Sequence, residues 1–205
     1  MKLVRGLAAA VTLVALVTPV GANAQLPLLG DKCFGDDVTI AGTEEGDVLE
    51  GTPGDDVISA LAGDDVVRGG GGNDTICGGA GADSIEGGAG RDAVAVGRGA
   101  DDARGGEGSD IIVEFSSDSC SGCLPFDTAA RDASDDVISG GEGNDAVGAE
   151  GGNDTIDGGE GQDLSLFLSR FTTVSIDLSL GRALSTAGGL DELRGIEHVL
   201  GSVNA

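Results

Sequence analysis

A chain of 205 residues with 36 Asp and Glu against 11 Lys and Arg carries a formal net charge of −25. Such a surface repels nucleic acid and anionic membranes and attracts cations. With no Trp, no Tyr and five Phe the chain lacks the aromatics of a conventional globular core, and 39 glycines point instead to disorder, a collagen-like chain or a regular repeat.

Residues 1–24 have the layout of a secretory signal peptide. Lys2 and Arg5 form a positive start, Leu7 to Val17 is uncharged, and Ala22-Asn23-Ala24 follows Pro19 as a small-x-small cleavage site. The uncharged run is shorter than the ~20 apolar residues of a membrane span. The mature chain is therefore expected to begin near Gln25 and to be secreted, extracellular and without membrane insertion. Four cysteines remain, Cys33, Cys77, Cys120 and Cys123, and an even number in an exported chain favours disulfides. Sequence leaves three pairings open. The preferred one joins Cys33 to Cys77 and closes Cys120-Ser-Gly-Cys123 locally, as a structural clip. A redox CxxC lacks its flanking βαβ pattern here.

Residues 25–41 read as an amino-terminal cap. From Gly42 the sequence falls into nines, eight consecutive rows ending at Val113 with no insertion. GTPGDDVIS starts at Gly51, GGGGNDTIC at Gly69 and GGAGADSIE at Gly78. The sixth place is aspartate in every row: Asp47, Asp56, Asp65, Asp74, Asp83, Asp92, Asp101 and Asp110. The eighth place is Leu49, Ile58, Val67, Ile76, Ile85, Val94, Ala103 and Ile112. A disordered linker has no reason to keep two columns in register.

The pattern resembles the RTX (hemolysin-type) calcium-binding repeat, GGxGxDxUx with U aliphatic, over most of residues 42–166. The resemblance implies an all-β, right-handed parallel β-roll. Each row supplies a six-residue turn and a short strand, and two rows complete one turn of the coil. It also implies several bound Ca²⁺ ions and an extracellular role in adhesion, matrix or surface-layer association, or assisted folding during export. The partner classes that follow are cell-surface or matrix polysaccharide or protein.

Residue chemistry points the same way. Alternation along a strand turns the eighth side chain into the coil, so one aliphatic per row fills a thin core. Glycine reaches the turn angles cheaply and leaves its carbonyl uncovered. Carbonyl and carboxylate oxygens are the hard ligands Ca²⁺ takes, about six to eight at a time. Alternate rows stack roughly 4.8 Å apart, so Asp74 should lie between Asp56 and Asp92. Two such charges repel by about 0.8 kcal/mol in water and several times more at lower dielectric. A cation between rows removes that cost.

The candidate metal ligands are Asp56, Asp65, Asp74, Asp83, Asp92, Asp101 and Asp110, followed by Asp136, Asp145, Asp154 and Asp163 in a second run at 131–166. Asp55, Asp64, Asn73 and Asn153 add an oxygen at place five. Thr43 and Glu45 stand where glycines belong, so row 42–50 reads as a capping row. Ala60 and Leu61 open row 60–68. Arg91 sits beside Asp92, and Val96 opens a row whose core residue is only Ala103. Residues 114–130 break the register and read as an inserted loop carrying the CxxC. Ser165 in the core column, with Phe167 after it, suggests that the roll is ending. Residues 167–205 read as a β-rich carboxy-terminal cap, with Val174, Ile176, Leu178 and Leu180 alternating before a turn at Gly181.

No HExxH, GxSxG or Walker A motif appears, and His198 is the only histidine. GxGxxG spacings and the two Asn-Asp-Thr sequons arise from the repeat itself. The expected function is a secreted, non-catalytic calcium-binding protein whose repeats fold on binding Ca²⁺. The alternative is an accessory module or enzyme acting on extracellular polysaccharide. Catalytic carboxylates, however, form a distinct pair in a cleft, whereas these form uniform columns. An ice-binding solenoid would need a regular outward rank, and Val57, Val66, Thr75, Ser84 and Ala93 are mixed.

Overall fold

The structure, a computed structural model, describes residues 32–114, 134–149, 151–167, 174–185 and 189–201. Residues 1–31, with the expected signal peptide, and residues 115–133, with Cys120, Cys123 and all of the 114–130 insert but Glu114, lie outside the described residues. No helix is present among those described.

In chain order the strands are β1 (Lys32–Cys33), β2 (Asp36–Asp37), β3 (Ile40–Ala41), β4 (Val48–Glu50), β5 (Val57–Ser59), β6 (Val66–Gly71) and β7 (Thr75–Ala80). β8 (Ser84–Ala89), β9 (Ala93–Arg98), β10 (Asp102–Glu107) and β11 (Ile111–Val113) complete the first run. β12 (Val137–Glu142), β13 (Ala146–Gly148), β14 (Thr155–Glu160) and β15 (Leu164–Phe167) form the second. β16 (Val174–Asp177), β17 (Arg182–Ser185), β18 (Gly189–Arg194) and β19 (His198–Gly201) end it.

Successive rows alternate between two sheets, and each strand pairs in parallel with the strand two rows away. Leu49, Val67, Ile85, Ala103, Ile138, Ile156 and Leu193 follow one another across the first sheet. Ile40, Ile58, Ile76, Val94, Ile112, Val147, Ser165 and Val199 do so across the second. The molecule is a parallel β-solenoid of about six turns, consistent with a β-roll. The core between the sheets is one aliphatic side chain per row, and most of these are fully buried. The insert does not interrupt the stack: β10 pairs with β12, and β11 with β13.

Several strands continue past the ninth place into the glycine pair of the next row, so Gly70 pairs with Gly88 inside β6 and β8. The turn that follows depends on left-handed backbone at places two and four, as at Gly70 (φ 105°) and Gly72 (φ 107°). Leu61 holds the same place-two conformation at φ 79° without being glycine. Val96, at place one, is fully buried in the same core as Ala103. A large residue at place one thus compensates the small one at place eight, which keeps packing dense.

The tail does more than close the end. β18 and β19 add a further row to each sheet, pairing in parallel with β14 and β15. β16 and β17 form an antiparallel hairpin whose second strand pairs with β18 at the sheet edge. At the other end, the β1–β2 hairpin is joined to the outer face of the second sheet by a Cys33–Cys77 disulfide. Cys33, Cys77 and Ala95 form a small satellite core there, with Phe34, Val38 and Val57 against it.

Candidate metal centre

The aspartates of alternate rows stand in two columns, one at each edge of the roll. Asp47, Asp65, Asp83, Asp101, Asp136 and Asp154 form one; Asp56, Asp74, Asp92, Asp110, Asp145 and Asp163 form the other. The link between rows is a hydrogen bond from backbone to side chain. Asp56 N–H donates to Asp74 Oδ1 at 2.8 Å, and Asp74 N–H to Asp92 Oδ1 at 2.8 Å. Asp65 N–H donates to Asp83 Oδ1 at 2.9 Å, and Asp83 N–H to Asp101 Oδ1 at 2.9 Å. The ladder crosses the insert without a gap, since Asp101 N–H donates to Asp136 Oδ1 and Asp110 N–H to Asp145 Oδ1. Each Asp carbonyl in turn accepts from the place-seven N–H two rows on, as Thr75 N–H does to Asp56. From Asp65 and Asp74 onward, one carboxylate oxygen and both main-chain groups of each aspartate thus belong to the scaffold.

The second oxygen does not. Oδ2 of Asp65, Asp74, Asp83, Asp92, Asp110, Asp145 and Asp163 is buried without a hydrogen-bond partner. A native fold rarely buries an unpaired acceptor, and one with charge is costlier still. Burial pushes the carboxyls of Asp65 and Asp154 up to about 7 and those of Asp74, Asp83 and Asp110 up to about 6. The accepted N–H works the other way, and nearby carboxylates add to the rise: Asp83, Asp47 and Asp64 around Asp65, and Asp191, Asp136 and Asp135 around Asp154. Asp92 and Asp145 are also raised by burial. These oxygens therefore call for a proton or a cation.

The first two rows differ. Thr52 N–H and hydroxyl both donate to Asp56 Oδ2, at 2.6 and 2.8 Å, and Thr43 does the same for Asp47 at the same distances. Place five also has a role of its own. Asp55 Oδ1 accepts from Asn73 N–H, Asp64 Oδ1 from Ala82 N–H, and Asn73 Oδ1 from Arg91 N–H. These exposed side chains form an outer ladder running toward the carboxy terminus, opposite in sense to the inner one. Arg91 is exposed.

Two members of the inner ladder carry no signature of the nine-residue repeat. Asp154 N–H donates to Asp191 Oδ1 at 3.2 Å, and Asp163 N–H to Glu197 Oε2 at 2.9 Å. Their rows have lost the glycine pair and the nine-residue spacing. The surviving signal is an acidic residue two positions before Leu193 and Val199, as the sixth place precedes the eighth.

Among the described residues no three His, Cys, Asp or Glu side chains converge as a metal-holding group. A site here would draw one carboxylate from a row and its remaining ligands from backbone carbonyls. The donors are all hard oxygens, an orphaned anionic oxygen recurs in successive rows, and glycine leaves the neighbouring carbonyls uncovered. That set fits Ca²⁺ and gives nothing a softer metal prefers.

A family model described as the RTX calcium-binding nonapeptide repeat, in four copies, matches residues 41–76, 78–112 and 132–164, just over half of the chain. No curated protein and no solved structure matches the chain.

Proposed function

The chain belongs to the RTX calcium-binding nonapeptide repeat family, and on that premise we propose that its aspartate columns hold a series of Ca²⁺ ions on which the folded roll depends. The observation that carries this is the recurrence of a buried, unpartnered carboxylate oxygen in row after row. Asp65, Asp74, Asp83, Asp92, Asp110, Asp145 and Asp163 supply it, and Asp101, Asp136 and Asp154 stand at equivalent column positions. A bound divalent cation supplies the positive charge that these oxygens and the turn carbonyls otherwise lack. The chain's own part is to orient them: the N–H bonded to Oδ1 fixes each carboxylate, and the left-handed glycines fix the turn.

The protein acts as a secreted, non-catalytic scaffold, with the signal-peptide layout of residues 1–24 as support. Its role is adhesion or association with extracellular matrix or surface polysaccharide or protein. Columns in which one environment recurs from row to row favour repeated binding over a single reaction centre. A calorimetric Ca²⁺ titration tests the central part. Several ions bound per chain, with the large heat of coupled folding, is the expected result; no heat above dilution overturns it. The adhesion role predicts calcium-dependent, EGTA-reversible retention on intact cells or their extracted polysaccharide.

A further inference from the structure

Among the described residues the roll contains two kinds of turn at place two, and they set the aspartates of the first two rows apart from those that follow. In the rows of Asp65, Asp74, Asp83, Asp92, Asp110, Asp145 and Asp163, place two is left-handed: Leu61, Gly70, Gly79, Gly88, Gly106, Gly141 and Gly159 have φ between 79° and 118°. In every one of these rows the aspartate Oδ2 is buried and unpartnered. In the first two rows place two is Thr43 or Thr52, and neither it nor place four (Glu45, Gly54) is left-handed. There the place-two N–H turns to the carboxylate, at 2.6 Å, and the hydroxyl adds a second bond at 2.8 Å. The same hydroxyl accepts from the N–H of Glu45 or Gly54 at 3.2 Å, which closes the turn on itself.

We propose that Thr43 and Thr52 take the place of the cation in the first two rows, so that the amino-terminal end of the roll forms without Ca²⁺ and the ion series begins only at Asp65 and Asp74. The proposal rests on the calcium reading above and narrows it. Asp56 matches the repeat motif as well as Asp74 does, yet its second oxygen already has two donors. An amide and a hydroxyl satisfy the acceptor in the way a metal would, but without releasing the turn carbonyls from the threonine-closed conformation. The same end carries the Cys33–Cys77 bond, which links the amino-terminal hairpin to the fourth row. The first two rows are thus held by threonine donors to the second carboxylate oxygen, which the rows of Asp65, Asp74, Asp83 and Asp92 lack, and the hairpin before them is held by a covalent bond. A preformed end gives each later row a surface on which to add.

Equilibrium dialysis against ⁴⁵Ca²⁺ on the full chain tests this with Asp56→Asn, Asp74→Asn and Thr52→Gly, each checked for a strand spectrum at saturating Ca²⁺. Asp56→Asn should bind as many ions as the parent, and Asp74→Asn fewer. Thr52→Gly, which gives row two the glycine pair of later rows while leaving every carboxylate in place, should bind one more. In EGTA the amides of Thr43 and Thr52 should be protected from hydrogen exchange while those of Gly88 and Gly106 are not. Loss of an ion in Asp56→Asn, an unchanged count in Thr52→Gly, or full exchange at Thr43 and Thr52 in EGTA overturns the threonine assignment while leaving the calcium reading intact. A parent chain that binds no ⁴⁵Ca²⁺ overturns both.

Discussion

Each column aspartate does two jobs with one carboxylate, and the two are separable by substitution. Asp83 Oδ1 accepts the N–H of Asp65, a buried donor with no alternative partner in the ladder. Asp83→Ala strands that donor, at a cost of about 1–3 kcal/mol. Asp83→Asn keeps an acceptor and removes only the charge. Melting in EGTA at about pH 5, where protons on the column carboxyls stand in for the cation, should therefore show the alanine variant clearly below the parent and the asparagine variant close to it. Equal losses in both would mean that Oδ1 is not a strut. The second oxygen sets the pH response. The ordinary Asp value of 3.8 is raised to about 6 at Asp74, Asp83 and Asp110 and to about 7 at Asp65 and Asp154, so between those limits the folded chain keeps protons that the unfolded chain has released. Stability of the metal-free roll is then greatest at the acid end of that window and falls as pH rises through about 7. Ca²⁺ competes with those protons, so its affinity should rise over the same window. Melting in EGTA at two pH values, repeated with Ca²⁺, checks both signs.

At the scale of a row, the phased columns are legible in the amino-acid sequence because each place has one physical task. Place eight is aliphatic in nearly every row to fill a core one side chain thick, and place six carries the carboxylate that bridges rows two apart. The rest is hidden for equally physical reasons. Nothing in the spelling of Asp55 or Asn73 reveals that they cap N–H groups two rows later, because an exposed oxygen suits either task. Thr43 reads as a lost glycine, but it is a donor that completes the turn. Asp191 and Glu197 are concealed because their rows spell Thr186-Ala187 and Glu192-Leu193 where the glycine pair belongs, and because they break the period. The exceptional row is that of Leu61, whose φ of 79° belongs to a glycine place. Such backbone costs a non-glycine residue about 1 kcal/mol or more. Leu61→Gly should therefore raise the melting temperature of the calcium-loaded protein. A lower value would mean that the leucine side chain contributes more by its packing than its backbone loses.

For the whole molecule, stability comes from a thin core, a disulfide at one end and, on the present account, ions along the edges. The Cys33–Cys77 bond closes a separation of 44 residues, which in the chain-entropy treatment is worth about 4 kcal/mol. Replacing both cysteines by serine should lower the melting temperature with or without Ca²⁺, since the tie does not involve the columns. The ions act on the folded state alone, and a site held at tenfold saturation adds about 1.4 kcal/mol. Several such sites approach the total stability of an ordinary domain. The chain's excess of acid, which attracts cations, is on this account part of how the roll is held together. The most direct test is thermal melting followed by far-ultraviolet circular dichroism, in EGTA and at increasing Ca²⁺. The expected result is a cooperative strand transition whose midpoint climbs steadily with Ca²⁺ concentration. A spectrum and a midpoint that are the same in EGTA and in Ca²⁺ would contradict it.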